Sequence, residues 1–79
     1  MNVERLESFR TVYSQQLALA YERYPDQYMT TIPVDVVVGR MMDAIVRGSY
    51  SNNGYAIKWT CKQLGIKPTY TAIDAYLRG

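Results

Sequence analysis

Histidine is absent from this 79-residue chain, cysteine occurs once, and only 20% of residues are charged. The missing histidine removes the commonest general base at neutral pH and the commonest metal ligand. With Cys61 alone, neither an intramolecular disulfide nor a zinc site of the usual kind can form. A lone cysteine suits a reducing compartment, so a cytoplasmic protein is expected. No basic segment followed by an apolar one opens the chain, and no apolar run approaches the ~20 residues that span a bilayer. Neither export nor a membrane is expected. Gly-rich phosphate loops and nucleophile motifs are also missing. Carboxylates, Lys and Tyr are what remain for catalysis. Glu4 and Glu7 form the nearest carboxylate pair, and a helix start explains them. The expectation is a non-enzymatic protein with no cofactor and no metal.

What is present is apolar surface, with 48% of residues hydrophobic, so a folded chain is expected over disorder. The length fits a single domain spanning 1–79, which buries only ~60% of the surface of its unfolded chain. The formal charge of +2 is unevenly spread. Up to Asp43 the acids Glu4, Glu7, Glu22, Asp26, Asp35 and Asp43 outnumber Arg5, Arg10, Arg23 and Arg40. Beyond it, Arg47, Lys58, Lys62, Lys67 and Arg78 face Asp74 alone. An anionic partner would meet the C-terminal half, although a solvated helix face also accounts for three lysines.

Leu6, Phe9, Tyr13, Leu17, Ala20 and Tyr24 recur at steps of three and four, the stripe of a long helix. Asn2 is its expected N-cap, and Pro25 stops it at Tyr24. Off-stripe Val12 and Leu19 suggest that this helix buries two sides. Val34, Val37, Val38, Met41 and Ile45 give a second helical face, which Gly48 ends. A strand over 32–38 is the rival, since β-branched residues favour strands, but no partner strand is legible. Gly39 inside this helix suggests a close approach by the first. Ser51, Asn52 or Asn53 can cap a third helix in which Ala56, Ile57, Cys61 and Leu64 share a face, with Trp59 at its border or outside. Gly65 ends that helix. Thr69 caps a fourth, which buries Ile73, Tyr76 and Leu77. The expected fold is all-α, a compact four-helix single domain.

The last two helices read as a modified helix-turn-helix. Cys61, Leu64, Gly65 and Ile66 match the corner of that motif. The apolar pair that docks its second helix, however, falls at Ile73 and Tyr76 instead of Thr71 and Asp74. The second helix would present Tyr70, Thr71 and Asp74, a poor set for reading base edges. A duplex-binding alternative would use Lys58, Lys62, Gln63, Lys67 and Arg78, with few phosphate contacts and strong salt sensitivity.

Tyrosine occurs eight times. Tyr13, Tyr24 and Tyr76 lie on core stripes, whereas Tyr28, Tyr50, Tyr55 and Tyr70 fall in turns or first helical turns. Interfaces are rich in Tyr, so Tyr50, Tyr55, Trp59, Lys62 and Tyr70 are the candidate partner-binding residues. Rings shielding a small core are the equal alternative. The same rings between lysines could also stack on single-stranded bases.

Residues 40–79, through "AIVRGSYSNNG", "AIKWTCKQLGIK" and "TYTAIDAYL", resemble the C-terminal half of small uncharacterised proteins encoded by tailed bacteriophages. The resemblance implies a virus-encoded protein in the cytoplasm of an infected bacterium. Proteins of that kind bind and block a host machine such as a CRISPR complex, a restriction enzyme, a polymerase or a nucleotide-processing enzyme. The expected function is therefore occlusion of a host protein or nucleoprotein complex in the anti-CRISPR manner. A small DNA-binding repressor is the alternative, and a single-stranded nucleic-acid binder the second. A homodimer stays open, because the methionines and the valine-rich helix could form its interface.

Overall fold

A computed structural model describes residues 2–28, 32–48 and 54–79. These form four helices: α1 (Val3–Arg23), α2 (Val34–Val46), α3 (Gly54–Leu64) and α4 (Tyr70–Arg78). Among the described residues there is no strand. The valine-rich segment is helical from Val34, with Pro33 at its N-cap.

α1 organises the domain. At a rise of ~1.5 Å per residue, its 21 residues account for most of the molecule's 35 Å length. It packs most extensively on α3, then on α2 and α4, while those three approach one another much less. Phe9, Tyr13, Leu17 and Ala20 of α1 are completely buried. Around them lie Val38, Met42 and Ile45 of α2, Ala56, Ile57 and Cys61 of α3, and Ile73 and Leu77 of α4. Thr60 joins the buried set although it is polar, because its hydroxyl donates to the Ala56 carbonyl at 2.8 Å. That bond satisfies the group inside the helix it belongs to.

Helix ends follow local chemistry. Asn2 accepts from the Arg5 N–H at 3.2 Å, and Thr69 from the Ala72 N–H at 3.2 Å. Gly48 (φ +81°) and Gly65 (φ +71°) take the left-handed conformation that closes α2 and α3, which costs glycine little. The two chain ends also meet. The Asn2 N–H donates to the Leu77 carbonyl, and Arg5 donates to the Tyr76 carbonyl while its guanidinium lies 5.1 Å from the Tyr76 ring centre.

Three expectations need correction or a limit. Tyr24 is 38% exposed and lies outside the core. Its backbone leaves helical geometry (φ −129°, ψ 59°), so the stripe that reaches Ala20 does not carry it inward. Gly39 marks no close approach, since an added Cβ there meets nothing within 4 Å. The capping proposals for Ser51, Asn52 and Asn53 lie outside the described residues.

Candidate aromatic and basic binding face

α3 has two opposite stripes. Ala56, Ile57, Thr60 and Cys61 face α1 and are buried. On the other side Tyr55, Lys58, Trp59 and Lys62 follow the i, i+3, i+4, i+7 spacing that keeps side chains on one helical face. Tyr55, Lys58 and Lys62 are exposed and Trp59 is half-buried. The stripe thus alternates rings with ammonium groups.

The end of α1 extends this face. Tyr24 stacks on Tyr55, with ring centres 5.8 Å apart and planes 21° from parallel. It also meets Trp59 at 5.7 Å in a tilted contact. Tyr28 and Tyr55 meet in a T-shaped contact with ring centres 6.5 Å apart, and Tyr28 packs on Tyr21 at 5.6 Å. Offset and edge contacts of this kind add to burial and fix ring orientation. The Arg23 guanidinium lies 5.8 Å from the Trp59 ring centre, a cation–π geometry that leaves a third positive charge beside the rings.

Pro25 produces this arrangement. By ending α1 at Arg23 it turns Tyr24 and Tyr28 toward the start of α3, and the turn is closed by Gln27 and Tyr28 N–H bonds to the Tyr24 carbonyl. The Tyr28 ring packs beside the first residues of α3 through its contact with Tyr55. Burial raises the Tyr28 pKa above the usual tyrosine value; the backbone of Tyr55 and Ala56 opposes that rise and the Tyr55 phenol adds to it. Burial raises Tyr21 likewise.

Beside the Tyr28–Tyr55 contact opens a recess of about 360 Å³, lined by Gln27, Tyr28, Gly54, Tyr55 and Lys58. Two ring walls, an amide, an ammonium group and a glycine without a side chain make up its lining. Small-ligand clefts begin at roughly 300 Å³.

Of the residues expected to bind a partner, Tyr55, Trp59 and Lys62 are brought together here. Tyr70 is 50% exposed, and its hydroxyl lies against Gly48 at the end of α2. Tyr50 lies outside the described residues. Of the alternative set, Lys58, Lys62, Gln63, Lys67 and Arg78 are all exposed, with Arg78 paired to Asp74 at 2.9 Å. Sequence reasoning missed Arg23, Tyr24 and Gln27. The signal that could have found them is the run Tyr21, Tyr24, Tyr28 across a helix end set by Pro25.

Among the described residues no group of histidine, cysteine and carboxylate side chains is placed to hold a metal ion. No described helix is long and apolar enough to cross a membrane. Compared with known protein families, characterised proteins and solved structures, the chain shows no significant match.

Proposed function

We propose that this chain is a non-enzymatic binding protein that acts by covering a surface of a macromolecular partner. The working face is formed by Arg23, Tyr24, Tyr55, Lys58, Trp59 and Lys62. One observation carries the reading: Tyr55 stays 49% exposed although it is stacked on Tyr24. A ring held in place yet half open to solvent has little orientational entropy left to lose when it docks. Aromatic anchors with a polar, charged rim are the usual anatomy of an interface centre. We further propose, from the resemblance expected for residues 40–79, that the partner is a host or defence complex in a bacterial cytoplasm.

The test is capture of partners from bacterial lysate by the tagged protein, with and without nuclease, beside a Tyr55→Ala/Lys62→Glu variant. The variant should lose the partner at least about tenfold, as expected for a central ring and a rim charge, while its far-ultraviolet circular dichroism stays unchanged. Capture that is equal for both proteins would refute the face.

The second reading is duplex DNA binding through the α3–α4 corner. It is favoured by the exposure of Lys58, Lys62, Gln63 and Lys67 along α3 and the turn after it. Opposing it, Arg78 is engaged by Asp74, and α4 offers Tyr70, Thr71 and Ala75 at exposed positions where base-reading side chains would be needed. This reading requires duplex binding at low salt that weakens steeply as salt rises.

A further inference from the structure

The recess at the start of α3 names the chemistry of the partner more narrowly. We infer that it receives one nucleotide of a single-stranded nucleic acid, the strand continuing along α3 past Trp59 and Lys62. The inference rests on the binding role of this same face. Four observations converge on it. Tyr55 lines the recess and is backed by Tyr24, so an incoming base extends an existing stack. Tyr28 lines it as well and is held by its ring contacts with Tyr55 and Tyr21. The Gln27 amide has both a donor and an acceptor for a base edge, and the Lys58 ammonium is placed for a phosphate. Lys62 then follows Lys58 by one helical turn, ~6 Å of rise, and no carboxylate occurs anywhere in α3.

An acidic protein segment could also meet the two lysines. Its carboxylates would satisfy the lysines and the Gln27 amide but would leave the rings without an extended aromatic face to stack on. Rings alternating with ammonium groups are the pattern by which single strands are held without sequence preference. A duplex fits poorly, because its bases are already stacked on each other and cannot enter.

Gly54 makes the inference separable from folding. It lines the recess, has no unusual backbone angle, and a Cβ added to it meets nothing within 4 Å. Gly54→Leu should therefore narrow the recess without disturbing the core. The experiment measures anisotropy of a labelled oligothymidylate and, in parallel, an oligouridylate. Quenching of Trp59, the one tryptophan in the chain, gives a second readout. The wild type should bind at low salt with Trp59 quenched. Gly54→Leu and Lys58→Glu should each weaken binding about tenfold, the scale of one lost base stack or phosphate contact. Arg40→Gln, on exposed α2 surface, should not change it.

Equal binding by wild type and Gly54→Leu would show that the strand bypasses the recess and would overturn the inference. If neither oligonucleotide binds but a lysate partner is lost in the Tyr55→Ala/Lys62→Glu variant, the inference fails and the binding role stands. Quenching by polyglutamate in place of either oligonucleotide would assign the recess to acidic protein segments. No binding by any of these probes and no face-dependent partner would remove both.

Discussion

Cys61 shows how one buried side chain carries chemistry the rest of the molecule can feel. It is fully enclosed, and burial pushes its thiol up to about 11. The unfolded chain releases that proton near the ordinary value of 9.0, whereas the native state keeps it. Stability from this group is therefore complete below pH 9 and is lost as pH rises toward 11. Urea melts should show a fall of up to about 3 kcal/mol over that window, with burial of Tyr21 and Tyr28 acting in the same direction at its upper end. Cys61→Ala should flatten the lower part of the fall; an unchanged profile would mean the thiol is not protected. At this scale the sequence was legible where helical period decides burial, as for Phe9, Leu17 and Cys61. It misjudged Tyr24, because a residue at a helix end keeps its place in the spacing after its backbone has left the helix. It also passed over Thr60, whose hydroxyl is satisfied within its own turn and so can be buried at low cost.

The helices themselves were largely written in punctuation: Asn2, Pro25, Pro33, Gly48, Gly65 and Thr69 stand at or beside their ends. Two glycines test this element by element, with opposite signs. Gly39 lies in the interior of α2 with open space where a side chain would go. Gly39→Ala should raise stability by ~0.5–1 kcal/mol through helix propensity. Gly48 has φ +81°, and a Cβ there would fall on the Tyr70 hydroxyl. Gly48→Ala should lower stability by about 1–3 kcal/mol. Thermal melts of the two variants against wild type decide this, and a shift of the same sign in both would contradict the assignment. The strand alternative for 32–38 failed for a reason visible at the same scale. β-branched residues favour strands only where a neighbour can pair with them, and Val34, Val37 and Val38 have the helical core to pack on instead.

For the whole molecule, α1 is the element that the other three share. Leu17 is completely buried in the cluster formed by all four helices. Leu17→Ala should cost ~2–5 kcal/mol, a large share of the ~4–12 kcal/mol available to a chain of this length. Chemical denaturation should show the loss in one cooperative transition; survival of part of the helical signal would mean that α2, α3 or α4 is stable without α1. The amino-acid sequence alone determined the four helices of the described residues, most of their ends and most of their buried stripes, because period and capping are local properties of the chain. Only the tertiary structure decided that Arg23, Tyr24 and Gln27 join Tyr55, Lys58 and Trp59 in one face. Those groups are about thirty residues apart along the chain. They meet because α3 packs alongside α1 and Pro25 ends α1 beside the first turn of α3, a juxtaposition that neither segment's own periodicity contains.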